Sequence, residues 1–427
     1  MLACPSVHTV VAGAGLSGLL VACLVARRGH RVTVFDRRVG GRAQSVTLAG
    51  LPVNTGPRAI YRRGHLHKAL RALGIDVVGH VPPTGRGWGF VGGSLAGLPS
   101  SPATLLTTGL LRHAGARREA ALVLARLGVG ALDIERNGAG GDVVGDGAEN
   151  IGAWIARHAE TEDARNLIRA LGRVSSYLPI GFGADDADAA LVLRYVRAGL
   201  VRNVIYVDGG WSSLVNALKA VAVAAGVGFD ERAVASVSPP GAGPITIGLD
   251  DGSSVVAEHV AIAGSLSLAQ ELFGLPDLST PVFASCLDIV LDRLPLPDRR
   301  FVLGIDTPLY FSVHSRPGQQ SPIVLHVARY GGGAAREDLE AFVDVVQPGW
   351  RGVARGARFL PKMTVMHQLP RAGAAHDVVV AANRYVVGDW VGAGLLADAA
   401  AESAVRVAAA IASSKPAKAA YSGERVS

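Results

Sequence analysis

Residues 13–18 read Gly13-Ala14-Gly15-Leu16-Ser17-Gly18, a GxGxxG spacing between a β-branched run (His8–Ala12) and an apolar stretch (Leu16–Arg28) that reads as a helix. In that setting Gly13 permits a tight turn and Gly15 lets a pyrophosphate approach the backbone. Gly18 allows close helix–strand packing, and the helix N-terminus, with Leu16 and Ser17, faces the anion. Arg31–Phe35 reads as a second strand, closed by Asp36, 18 residues past Gly18 and placed to accept hydrogen bonds from a ribose. Together these predict dinucleotide binding by a βαβ unit. Gly40-Gly41-Arg42 comes next: the glycine pair lets the chain pass over a pyrophosphate, and Arg42 matches its charge bidentately. Arg37 joins the candidate contacts. With Arg38 it would also suit a nicotinamide 2′-phosphate, a reading that leaves Gly40–Arg42 without a role.

The elements that must hold this motif alternate along the chain. A helix is expected over Ser212–Ala225, with strands at Ala233–Val237, Ile245–Leu249, Ser253–Ala257 and Val260–Ala263. Tyr385–Val387 reads as a strand and Leu395–Ala412 as a helix. Between these lie a mostly helical region (Ala116–Leu127, Ile151–His158, Ala164–Leu171) and a strand-rich one (Cys286–Leu291, Tyr310–His314, Ile323–Ala328). Asn137–Gly147 reads as a Gly/Asp-rich loop. The expectation is an α/β protein with a discontinuous Rossmann-like dinucleotide domain from 1–80, 200–270 and 380–415. A second, mixed α+β substrate domain comes from 81–199 and 271–379, and 416–427 is a disordered tail.

Composition narrows the function class. The 427 residues are 49% hydrophobic and 18% charged, which excludes a disordered chain. The formal charge of +7 comes from scattered residues, nearly all arginine, so no nucleic-acid footprint is expected. Cys4, Cys23 and Cys286 form no CxxC pair, which argues against disulfides and a metal site and for a reducing, cytoplasmic setting. Residues 1–26 lack a basic leader region, and glycines interrupt their apolar run, so neither a signal peptide nor a spanning helix is expected.

The series GAGLSG, RVTVFD and GGRAQS resembles the N-terminus of the flavin-dependent amine oxidase and phytoene desaturase superfamily. Three later segments are similar to it as well. They are Asn54-Thr55-Gly56-Pro57-Arg58 (the loop beside the flavin ring), Gly209-Gly210-Trp211 before a helix, and Gly388-Asp389-Trp390 with Asp398 and Ser403. The resemblance implies non-covalent FAD, with Gly13, Gly15, Gly18, Gly41 and Arg42 at the phosphates and Asp36 at the adenosine ribose. It puts Val234 at adenine, Gly388 and Asp389 at the ribityl side, and Gly56, Pro57 and Arg58 near the ring. The N-terminus of the last helix, at Leu395 and Leu396, would face the flavin N1–C2=O edge. The chain departs from the family in its short Asp36–Gly40 spacing, in Asp36 for the commoner Glu, and in Ser403-Ala404 for Ser-Gly.

The implied activity is hydride transfer from a C–C or C–N bond of an apolar small molecule to flavin. Arg58, Tyr61 and Lys362 are the candidate catalytic residues, Lys362 because some family members use a lysine near the reactive flavin nitrogen. Trp211 and Trp390 are weighed as substrate-facing or plain packing residues, and His314 and His367 as satisfied core histidines. No Tyr or Phe follows Trp390 closely, which favours a desaturase-like over an amine-oxidase-like site. No cysteine lies beyond 286 for covalent flavin attachment through the C-terminal segment. Leu105–Leu111 and Ala120–Val129 are read as buried helix packing, with a substrate entrance or peripheral membrane contact as the alternative. A redox-neutral flavin isomerase and a flavin-free isoprenoid carrier of the Rab GDP-dissociation-inhibitor type remain the rivals.

Overall fold

A computed structural model describes residues 7–83, 85–127, 149–241, 243–276, 279–373 and 376–414. The expected loop at Asn137–Gly147 and the tail at 416–427 lie outside them.

The first strand, His8–Ala12, is buried along its whole length, and its neighbours make it the interior of a six-stranded sheet. In spatial order the strands are Gly228–Asp230, Arg31–Phe35, His8–Ala12, His259–Ile262, Arg384–Val386 and Val379–Ala381. The first five run parallel and the last is antiparallel. Fully buried parallel strands need continuous apolar sequence, which HTVVA and HVAI supply. The helix Leu16–Ala26 is buried on nearly every side because the helices Ser212–Ala224 and Leu396–Ser413 both pack on it. That enclosure explains the uncharged run near the N-terminus.

The other large sheet has seven strands: Ala354–Met366, Val282–Leu291, Ile323–Tyr330, Leu309–Val313, Phe301–Gly304, Trp88–Val91 and Ser94–Gly97. All neighbours are antiparallel except Phe301–Gly304 with Trp88–Val91. Val282–Leu291 is buried on both faces by period-two alternation. Leu287, Ile289 and Leu291 pack under the helix Arg336–Val346. Val282, Ala284 and Cys286 join a core shared with the helices Ala114–Arg126, Ile151–His158, Glu162–Ser176 and Ala189–Arg202. Arg173, fully buried, pins the third of these helices to the sheet by donating to the carbonyl oxygens of Ile180, Gly304, Ile305 and Thr307. Burial lowers its pKa to about 10. Among the described residues no helix is long and apolar enough to cross a membrane.

Candidate active site

One cavity of about 890 Å³ runs between the two large sheets. At one end it is floored by Gly13, Gly15, Leu16 and Ser17. Gly13 has φ +114, and a Cβ there would lie 2.6 Å from the Ala263 carbonyl oxygen. A Cβ on Gly18 would stand 1.9 Å from the Gly13 carbonyl oxygen, so Gly18 is required by helix–strand packing. Gly15 differs: a Cβ there meets nothing within 4 Å. The fold leaves open space above Gly15 at a helix N-terminus, the fit expected for a phosphate-bearing group. Asp36 borders the same space, accepting from Ala14 N at 2.7 Å and Arg38 N at 3.0 Å, with lone pairs left over. Val234, the buried first residue of the strand Val234–Val237, lines the cavity.

Farther along, the GGR and GDW segments meet. The Arg42 guanidinium lies 2.8 Å from the buried Asp389 carboxylate and also donates to the Val365 carbonyl oxygen. His367 Nδ1 sits 2.7 Å from the same Asp389 oxygen. Burial raises the Asp389 pKa, but Arg42 and His367 overcome it and hold the carboxyl below its ordinary 3.8. Ser403 Oγ bonds both the N–H and the carbonyl of Gly388, anchoring the GDW turn to the last helix. That helix points its start, Leu395 to Asp398, into the cavity, with Tyr195 Oη accepting from Leu395 N. Asp398 instead accepts from Leu66 N at the start of the helix His65–Ala72, and burial raises its pKa.

The far part of the cavity is an apolar chamber. Tyr61, Tyr177, Tyr206 and Tyr310 line it with Leu167 and Leu171. The Tyr61 hydroxyl donates to the Ser175 carbonyl oxygen, and burial pushes its pKa up strongly. Arg58 stands at the junction, its guanidinium 5.5 Å from the Trp211 ring and one nitrogen donating to Thr55 Oγ1. Burial lowers its pKa to about 10. The loop carrying Arg58 is fixed from the second sheet: Gly56 N donates to Asp288, which also holds His326 Nδ1 at 2.7 Å. The other side of the loop is fixed by Asn54 Oδ1, which accepts from Trp211 N in the GGW turn.

The structure therefore gathers Gly13, Gly15, Leu16, Ser17, Asp36, Gly41, Arg42, Pro57, Arg58, Tyr61, Val234, Gly388, Asp389, Leu395 and Leu396 around one space. Others stand apart. Lys362 is exposed, its ammonium 4.2 Å from the Phe283 ring, because strand alternation turns Met363 inward instead. Arg37 points to solvent and pairs with Asp250. Gly56 lies behind the wall, where glycine is demanded by φ +77 and by the Met363 sulfur, which would stand 2.7 Å from any Cβ. Trp211 lines the cavity and Trp390 is packed in the core.

The expectations about two histidines are corrected in part. His367 is satisfied, by Asp389, but stands on the cavity wall and not in the core, and His314 lines the chamber with a buried Nε2 that has no hydrogen-bond partner among the described residues. The missing aromatic after Trp390 is also offset, since four tyrosines from separate segments enclose the chamber. Leu105 and Leu124, from the two apolar segments weighed as helix packing or entrance, line the cavity while Leu106 and Leu122 are exposed. Sequence reasoning missed Tyr177, Tyr206 and Tyr310, which no local spacing marks.

The family described as flavin containing amine oxidoreductase matches residues 16–285. The candidate flavin-containing monoamine oxidase AofH of Mycobacterium tuberculosis is 31% identical over 199 residues, 45% of this chain and 41% of that protein. A 4,4'-diapophytoene desaturase of Methylomonas is 34% identical over 61 residues, 14% of this chain and 12% of its own. The chain thus spans about two fifths or less of the length of these curated relatives. Among solved structures, cyclohexylamine oxidase from Brevibacterium oxydans superposes with a TM-score of 0.67 at 17% identity, over 96% of this chain and 99% of its own. That likeness concerns the fold. With the family match across most of the chain and the paired GGR and GDW segments at one cavity, the protein belongs to the flavin-containing amine oxidoreductase family.

Proposed function

We propose that the protein binds FAD non-covalently and dehydrogenates a C–C or C–N bond of an apolar small molecule. The observation that carries this reading is the continuity of the cavity, from the open glycine turn at Gly15 to the tyrosine chamber. Gly13, Gly15, Leu16 and Ser17 would face the pyrophosphate, Asp36 and Val234 the adenosine, and Asp389 the ribityl chain. When bound, FAD supplies a two-electron acceptor for hydride. The chain's own residues do the rest. The start of the helix Leu396–Ser413 presents its positive dipole end to the cavity and favours negative charge there. The tyrosines and leucines exclude water and orient an apolar body. Tyr61 stays protonated, which suits a positioning role and not that of a base. Cys286 is a buried thiol whose pKa burial raises, which supports non-covalent attachment.

The test is an absorption spectrum of the purified protein, with chromatographic identification of the cofactor after acid precipitation. Oxidised-flavin bands and FAD fully released into the supernatant are expected. Colour that stays with the precipitate would overturn non-covalent binding. A colourless protein that takes up no added FAD would favour the isoprenoid-carrier reading. Substrate turnover without consumption of any acceptor would favour the isomerase.

A further inference from the structure

Resting on the chamber as the substrate site, we propose that its rim is an anion subsite, where Arg300 and His80 receive a carboxylate carried by an otherwise apolar ligand. Both side chains line the cavity and are half-buried. The Arg300 guanidinium uses one nitrogen, Nη2, on the carbonyl oxygens of Ser315 and Arg316. Its Nε and Nη1 have no partner among the described residues, yet neither is enclosed by protein, so a ligand can reach them. His80 is arranged in the same way. Its Nδ1 is buried 3.5 Å from Asp208 Oδ1, while Nε2 is unpaired among the described residues and not enclosed. The ring stands edge-on to Tyr206 of the chamber at 5.7 Å. Arg316 ties the two together: it follows Ser315, pairs with Asp208 and donates to the Gly79 carbonyl oxygen.

The charge of this rim has one sign on its inner side. Val302 pairs with Trp88, so Arg300 and Arg86, each two residues upstream, lie at the same edge of the seven-stranded sheet. Arg86 also lines the cavity, and its exposed pairing with Asp298, at 3.6 Å, leaves most of its surface open. Asp208 and Asp298 stand behind the cations and do not line the cavity. The acids that do, Asp36, Asp389 and Asp398, hold donors of their own at the glycine turn and the last helix. An ammonium group would therefore meet cations at the rim, whereas a carboxylate accepts charge-assisted hydrogen bonds. His80 adds a proton linkage. With Nδ1 turned to Asp208, Nε2 donates only when the ring is protonated. Burial lowers the His80 pKa against the pull of Asp208, and Arg316 and Arg300 lower it further. Behind Tyr206 the stacked His314 is held neutral by burial. A carboxylate at Arg300 places negative charge beside the His80 ring, so its binding takes up a proton and tightens as pH falls.

The test titrates 4-phenylbutanoate, 4-phenylbutanamide and 4-phenylbutylamine into the purified protein by isothermal calorimetry, which needs no flavin signal. At pH 7 the carboxylate is expected to bind at least about tenfold more tightly than the amide, with the amine weakest. Its affinity should rise at least about threefold from pH 8 to pH 6, a range over which the probe stays ionised, while the amide stays level. Arg300→Gln should keep its flavin content and amide affinity and lose the carboxylate preference. His80→Gln, an independent variant, should keep a reduced preference and lose the pH dependence. Amine binding as tight as carboxylate binding, no probe binding at all, or a pH-independent carboxylate affinity in the wild type overturns the proposal. So does a preference that survives intact in Arg300→Gln, since another cation then receives the carboxylate. If the protein carries no flavin, the cofactor reading fails while the calorimetry still decides the anion subsite.

Discussion

Asp389 shows how one carboxylate can join two distant motifs. It is buried, yet Arg42 and His367 keep it ionised. Its folded pKa lies below its unfolded value, so its stabilisation is complete above the ordinary 3.8 and is lost as pH falls through the lower folded value. Asp389→Asn should destabilise the apoprotein at neutral pH by about 1–3 kcal/mol, with Arg42 and His367 left without their anionic partner. Denaturant titration of both forms should show the difference shrinking below about pH 4. The same variant should hold flavin poorly. Asp389 was legible in the sequence because it sits in a motif, but His367 was not. Its role comes from a meeting of strand end and turn that no short spacing records.

At the scale of elements, the glycines of the first turn separate folding from binding. Gly18→Ala places a Cβ against the Gly13 carbonyl and should lower Tm sharply or abolish folding. Gly15→Ala meets nothing in the protein, so its apoprotein Tm should stay within a few degrees of wild type. Flavin retention, read by absorbance after desalting, should nonetheless fall at least about tenfold, because the methyl occupies the space left for the pyrophosphate. Equal flavin content in Gly15→Ala and wild type would place the phosphates elsewhere.

The strands His8–Ala12, Arg31–Phe35 and Ile245–Leu249 and the helix Ile151–His158 were readable to the residue. Each is a short patterned run bounded by turn residues. By contrast, most of Ala354–Met366 carries no strand pattern in its sequence. Its first residues are exposed or half-buried and its solvent side carries Arg355 and Lys362, so most of this edge strand lacks the apolar alternation of a buried one.

Across the whole molecule, three separated stretches build one sheet: His8–Ala12 pairs with His259–Ile262, which pairs with Arg384–Val386. The helix Leu396–Ser413 then packs on Leu16–Ala26. A chain ending at residue 378 should therefore expose the Val260–Ile262 edge and one side of the first helix. Such a truncation is expected in the insoluble fraction, or as a protein that binds the hydrophobic dye ANS and shows no cooperative thermal transition. A soluble, cooperative truncated protein would show that the last strand and helix are dispensable. The chamber, in contrast, was illegible in the sequence, because its tyrosines lie on four segments and meet only when both sheets are in place.

That interleaving has a consequence for synthesis. A ribosome must carry synthesis past residue 386 before that strand can slot beside its partner, so the nucleotide cradle cannot mature on any shorter nascent chain. Until then the earlier strands wait with an open flank, and whatever protects that flank in the cell determines how much protein survives to acquire its cofactor.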